Sequence, residues 1–233
     1  MQAVIVEGQS FPPGCVVMAT GDITRYAVSM QCYSSLRVPP GSLAGWNSGV
    51  LIAKSLNDGL ETMMARPDLQ WVWIMGDDHT YHPDTLFHLL AHEKDAIIPL
   101  CLNRYPPFSP TVINHTHDRM KYLSELPMEG LYKLADDETC GDAGLLIRRN
   151  VLEATGPEWY ETKKSGMLTA EDQQFTQKIK AAGFDIFLDT GTIIGHCTVI
   201  NVRPVHKDDH WEIRLLTPIG QTVCDLISRD GTG

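Results

Sequence analysis

The chain has 233 residues, 43% hydrophobic and 21% charged, a globular composition far from the disordered class and long enough for one sizeable core. Nineteen Lys and Arg stand against 29 Asp and Glu, a formal net charge of −10, which opposes broad electrostatic binding to nucleic acid or to anionic membrane. Six scattered cysteines without a C-x-x-C pair argue against a zinc ribbon or a small disulfide scaffold and read as buried free thiols of a reducing cytosol, the host cytoplasm if the source is viral.

The opening MQAVIVEGQSFPPG is apolar only briefly and carries Glu7, unlike a signal peptide. The longest apolar runs, WVWIM and AIIPLCL, are too short to span a bilayer, so no membrane partner is expected. Strand and helix alternate through roughly the first hundred residues, the pattern of a parallel sheet with covering helices. Val16 to Ala19 is a β-rich run ending at Thr20-Gly21-Asp22. ITRYAVSMQCYSSL reads as a helix closed by Pro39-Pro40, and SLAGW as a second strand. From Ser48 to about Arg66 a helix carries Leu56, Leu60, Met63 and Met64 on one face and stops at Pro67. Trp71 to Met75 is continuously apolar, as a strand buried on both faces requires, and ends in Gly76-Asp77-Asp78-His79. Pro83-Asp84 opens a helix through Glu93, and Ala96 to Leu102 is the next strand.

The second half changes character. NRYPPFSP is a stiff turn, and residues 111–139 read as short strands and loops. Gly144 to Ile147 is a strand that Arg148-Arg149 ends. Thr169-Ala170-Glu171-Asp172 starts a helix that turns Phe175 and Ile179 inward and stops at Gly183. Phe184 to Leu188 and Thr192 to Cys197 are strands, and runs around Val202 and from Trp211 to Leu216 flank a polar HKDDH turn. The predicted class is α/β, a mostly parallel sheet flanked by helices with a mixed C-terminal half and a terminal β-hairpin. Residues 1–200 form the main domain, and 201–233 extend it.

Three features carry chemistry. In open parallel sheets ligands bind beyond the carboxyl ends of the strands, where Asp77, Asp78 and His79 offer oxygen and nitrogen ligands to Mg2+ or Mn2+. Acidic turns also merely cap helices; placement after a five-residue apolar strand favours the metal. Glu171-Asp172 offers a general base or a substrate-binding carboxylate, although acids in a first turn also serve the helix dipole, and Thr169 with Asp172 resembles a capping box. On local sequence that structural role is the better supported one. Gly195-His196 is a weak signal alone. His88 and His92 lack the H-E-x-x-H pattern and read as a solvated face, while His115-x-His117 and the His206/His210 pair lack supporting partners.

Jointly these features form a recognisable order. MGDDH matches a D-x-D or D-D-D-H element after a buried strand, Gly141 to Arg149 matches G-x-G-x-x-L-I-R-R, Glu171 to Phe175 matches E-D-x-x-F, and Gly195-His196 matches a closing G-H. The chain resembles the GT-A glycosyltransferases, especially the family 2-like transferases also found in viral genomes, over roughly residues 15–200. The resemblance implies a GT-A (Rossmann-like) domain that moves a sugar from a UDP- or GDP-linked donor to an acceptor hydroxyl with Mn2+ or Mg2+. Asp78 and His196 would hold the cation, with Asp77 and His79 as helpers. The family's first acid is Gly76 here, and an Asp77-x-His79 pair fits as well.

The general base of an inverting enzyme would be Asp172, or else Glu171; in a retaining enzyme these carboxylates would position the acceptor. The resemblance places the donor nucleotide at Thr20, Gly21 and Asp22, with Asp77, Asn47 and Lys54 as further candidates, though an exposed helical Lys is the plainer reading of Lys54. Arg104, Tyr105, Gly141 and Asp142 would meet acceptor or diphosphate. The acceptor is a protein, a glycan or a modified nucleobase. Net charge disfavours DNA unless Arg104, Arg119, Lys121, Arg148 and Arg149 build a local basic groove. Two alternatives compete. A nucleotidyltransferase would want a Gly-rich basic loop after the first strand, where MATGDITRYA has one Gly and one Arg. A non-catalytic sugar- or nucleotide-binding relative is suggested by Gly76.

Overall fold

The apolar runs assemble into one seven-stranded sheet in a computed structural model, which describes residues 1–3, 10–20, 26–49, 51–105, 107–161, 171–199, 201–207, 210–217 and 220–224. The strands are β1 (Cys15–Thr20), β2 (Leu43–Ser48), β3 (Trp71–Gly76), β4 (Ala96–Leu100), β5 (Leu131–Lys133), β6 (Leu146–Arg148) and β7 (Ile186–Ile193), in spatial order β5-β7-β4-β6-β3-β1-β2. β1 pairs in parallel with β2 and β3, and β7 with β4. β6 lies antiparallel between β3 and β4, and β5 closes one edge antiparallel to β7. The expected parallel half is thus interrupted, because β6, which arrives late in the chain, is inserted in the middle.

Strand periodicity sorts the core into two layers. Val16, Met18, Trp71, Trp73 and Met75 point to one face, under Tyr33 of helix α1 (Ala27–Ser35) and Leu86, Leu89 and Leu90 of a short helix, α3 (Thr85–Ala91). Cys15, Val17, Val72 and Ile74 point to the other, against Leu56, Leu60 and Met63 of α2 (Ile52–Met64). Val151 and Leu152 of α4 (Arg149–Thr155) and Phe175 and Ile179 of α5 (Glu171–Ala181) complete that layer. The sheet's continuous apolar runs are therefore buried on both faces.

Several expectations are corrected. Arg149 does not simply end a strand but opens α4, and its guanidinium donates to the carbonyls of Met64, Arg66 and Leu69 near the C-terminal end of α2. Met64 is in the last turn of α2, where carbonyls lack helical partners, so the cation does the work of a cap there. The first of the two strands expected after residue 183 is β7, which runs on through Thr192 and Ile193, while Gly195–His196 from the second forms a separate short strand. His92 is not on a solvated face: its Nε2 lies 3.0 Å from Oδ2 of Asp189, which also accepts from Thr192 Oγ1 at 2.6 Å.

Residues 112–140 contribute a three-stranded antiparallel sheet, Glu138–Cys140 beside Val112–Asn114 beside Arg119–Met120. The terminal hairpin forms from Asn201–Lys207 and His210–Thr217, with Gly220–Cys224 added as a third strand. Cys15, Cys101 and Cys140 are buried free thiols, as expected, while Cys32 and Cys197 are partly exposed. Among the described residues no helix is long and apolar enough to cross a membrane.

Candidate active site

Because β1 and β3 run in parallel, their carboxyl ends stand together, with Ala19 paired to Gly76. Beyond Gly76 the chain turns sharply through Asp77, Asp78 and His79, all buried. His79–Thr80 then pairs antiparallel with Gly195–His196, and Cys197 N–H donates to the Asp78 carbonyl at 2.7 Å. That short ladder carries His196 from the far end of the sequence to Asp78. A side chain at residue 195 would meet Thr80 Oγ1 at 2.4 Å, so the Gly of Gly195-His196 is what lets the ladder close.

Gly76 has a similar reason. A Cβ there would lie 2.4 Å from His79 Nδ1. The acid found at this place in the resembled pattern is therefore excluded by the His79 ring.

Asp78 is the hub. Its Oδ1 lies 2.8 Å from His79 Nδ1, and its Oδ2 lies 2.6 Å from Arg104 Nη1 and 3.5 Å from His196 Nε2. The two imidazoles stack at 4.1 Å with planes 23° apart. His196 Nδ1 donates to the Leu102 carbonyl at 2.9 Å, which fixes the ring with Nε2 turned toward Asp78. Burial would raise the Asp78 carboxyl, but hydrogen bonds and charge from His196 and His79 outweigh it and hold it well below the usual range. Burial lowers His79, partly offset by Asp78. That shift favours the neutral imidazole, the form that binds metals.

A second acidic cluster sits nearby. Asp142 follows Gly141, whose N–H donates to the Thr111 carbonyl at 2.9 Å. Asp172, in the first turn of α5, accepts from Gln173 N–H at 2.7 Å and packs its Oδ2 against Gly141. Burial and the neighbouring Asp172 charge push Asp142 up to about 7, and burial also raises Asp172. Asp77, Asp78, His79, Arg104 and Asp142 line one cavity of about 410 Å³ with Ala19 and Gly49, within the size range of small-ligand sites. Glu171 and Asp172 do not line it; Asp172 stands behind Gly141-Asp142.

The remaining expected residues are spread more widely. The Thr20 carbonyl accepts from Gly49 N–H at the cavity edge, while Gly21 and Asp22, like Thr169, lie outside the described residues. Asn47 donates to the Ser55 carbonyl at 2.9 Å, tying β2 to α2. Lys54 is exposed and paired with Asp58 at 2.6 Å. Tyr105 lies under the Arg104 guanidinium, 5.6 Å away. The five cations do not form one groove. Arg119 is paired with Glu125 and Lys121 with buried Glu138, and Arg148-Arg149 lie at the opposite end of β3, where Arg148 pairs with Trp71.

Cys101, which the sequence does not single out, lies beside the two imidazoles. One ligand atom each of His79, Cys101 and His196 lie within 4.8 Å of one another. Its only signal in the sequence is its position just past a buried strand, here β4. Burial and the Asp78 charge push its thiol up to about 12. A second cavity of about 560 Å³ shares Arg104 with the first, is lined by His196 as well, and is mostly apolar, walled by Leu102, Phe108, Leu126, Met128 and Ile193.

No family model matches the chain, and no curated protein matches it by sequence. Among solved structures it is similar to GalNAc-T7, determined with UDP, GalNAc and Mn2+, at a TM-score of 0.54 and 10% identity over 80% of this chain and 44% of that one. TarS of S. aureus gives 0.52 and 11% over 79% of this chain and 36% of that one. The protein A197 from STIV gives 0.49 and 11% over 93% and 97%. The chain spans less than half the length of GalNAc-T7 and TarS. The likeness to these two glycosyltransferases shows the fold: a GT-A-like α/β architecture with a large, mostly parallel sheet between helices.

Proposed function

We propose that the protein transfers a sugar from a nucleotide diphosphate donor to an acceptor hydroxyl, aided by a divalent cation at Asp78, His79 and His196. The observation that carries this reading is a carboxylate flanked by two imidazoles at the carboxyl end of β3, with Asp78 and His79 on the same cavity as the Asp142 carboxyl. The residues suit a cation. His79 Nε2 is buried without a hydrogen-bond partner, and His196 is oriented by a backbone carbonyl in the way that metal-binding histidines are. The UDP and Mn2+ of the GalNAc-T7 structure support the same reading.

A cation bound here would supply Lewis-acid stabilisation of the departing diphosphate. The protein's own groups do the rest. Arg104 neutralises Asp78 and is placed to pair with phosphate oxygens through its fork of donors. Asp142, on the cavity wall, takes the acceptor proton, and Asp172 behind it keeps that carboxyl basic. This moves the base from Asp172, the sequence-based first choice, to its neighbour. The acceptor enters from the apolar cavity that His196 lines and that shares Arg104 with the first.

Thermal denaturation with UDP-, GDP- and dTDP-linked sugars tests the reading. Saturating donor with a divalent cation is expected to raise the melting temperature by about 5 °C or more, and donor without cation by much less. No stabilisation by any donor would count against it.

A further inference from the structure

Building on the cation site proposed above, we propose that Cys101 is one of its ligands, so that the site takes a thiophilic, zinc-class ion in preference to a purely oxygen-seeking one. The thiol is placed for it. Cys101 is 2% exposed, and a ligand atom each of Cys101, His79 and His196 lie within 4.8 Å of one another. Metal–sulfur and metal–nitrogen bonds of about 2.3 and 2.0 Å bring tetrahedral ligands to roughly 3.5 Å apart. Side-chain adjustments of about 1 Å then suffice.

The second observation is the orphaned nitrogen. His79 Nε2 is buried and makes no hydrogen bond, and its side chain is 7% exposed. A buried imidazole nitrogen without a partner is costly unless a ligand satisfies it. Cys101 Sγ has only a weak contact of its own, 3.6 Å to the Leu102 carbonyl. Leu102 is also the residue whose carbonyl orients His196. One turn of chain after β4 therefore presents the thiol and aligns the imidazole.

The chemistry follows from ligand softness. Carboxylate and water suit magnesium and manganese, whereas two imidazoles and a thiolate suit zinc or cobalt. On binding, the Cys101 S–H bond breaks, sulfur donates its pair to the metal, and the proton leaves to solvent. Asp78 completes the set or yields its place to a diphosphate oxygen.

The test uses the full chain and metal alone, without nucleotide. Cobalt(II) titration is expected to give an intense near-ultraviolet thiolate-to-cobalt band, lost in Cys101→Ser and kept in Cys140→Ser, whose thiol is buried elsewhere. Competition titrations should show zinc binding at least about tenfold tighter than manganese, a preference that Cys101→Ser removes. X-ray absorption of the zinc-loaded wild-type protein should show one sulfur at about 2.3 Å, and this readout stands even if the variant does not fold. Cobalt or zinc that fails to bind, a wild-type spectrum without sulfur, or an unchanged band in Cys101→Ser would overturn the proposal. Because no donor is present, loss of the sulfur signal and loss of nucleotide-sugar binding are separate results.

Discussion

Asp78→Asn is expected to abolish cation-dependent donor binding and to lower transfer by about a thousandfold or more. The substitution keeps the shape of the side chain and removes only its charge. That charge faces Arg104 at 2.6 Å, His79 at 2.8 Å and His196 at 3.5 Å. Without it a cation between the imidazoles loses its anionic ligand, and Arg104 loses the partner that holds it over the cavity. Part of the effect is structural. A charge removed from a buried pair leaves the other partly uncompensated, at a cost of about 1–3 kcal/mol, softened because the Arg104 side chain is 29% exposed.

The pH dependence separates the two effects. Asp78 is held well below the usual carboxylate range in the folded protein. Its contribution to stability is therefore present above the unfolded value of about 4 and lost as pH falls below it. The stability difference between wild type and Asp78→Asn should be constant above about pH 5 and shrink in stronger acid. Melting curves read this directly, while the catalytic loss persists at neutral pH where folding is intact.

Asp142→Asn is the second large effect. Transfer should fall by about a hundred- to ten-thousandfold, the usual worth of a general base, with cation and donor affinity unchanged. In the wild type the rate should rise with pH through the titration of the Asp142–Asp172 pair near 7, since the ionised form accepts the proton. Asp172→Asn removes the neighbouring charge and should move that limb to lower pH rather than abolish the rate, which marks Asp172 as a positioning residue. Stability runs the other way from Asp78. The folded state keeps a proton on Asp142 that the unfolded chain releases above about pH 4, so stability falls as pH rises from about 4 to 7. Asp142→Asn should therefore melt a few degrees higher than wild type at pH 8 and about equally at pH 4.

Much of this arrangement is legible in the sequence, and its limits have physical causes. β3 announces itself because a run buried on both faces is continuously apolar, and the acidic turn after it follows from sheet geometry. The acids of α5 and the Gly195–His196 step are visible as local patterns. What joins them is not local. The antiparallel pairing of His79–Thr80 with Gly195–His196 and the insertion of β6 between β3 and β4 depend on contacts between distant segments, which no window of residues encodes.

Asp142 shows the same limit from another side. In the sequence it is one acid after a glycine; its altered basicity comes from burial and from Asp172, which the fold brings behind it. α4 is hidden in the sequence because it is short and its first residue, Arg149, follows directly on Arg148 of β6, so that the pair looks like a strand end. Its stability comes from Arg149 bonding to α2 and from Val151 and Leu152 in the core, not from its own propensity. Cys101 was read by its apolar neighbours alone, and the imidazoles beside it arrive from two other parts of the chain.

The most direct test of the central proposal is product release from nucleotide donors. The protein is incubated with UDP-, GDP- and dTDP-linked sugars and a divalent cation, and the released nucleotide is identified by mass. The expected result is a nucleoside diphosphate released from one donor class, dependent on the cation and lost in Asp78→Asn. No diphosphate from any donor, or pyrophosphate released instead from a nucleoside triphosphate and a sugar phosphate, would contradict glycosyl transfer at this site.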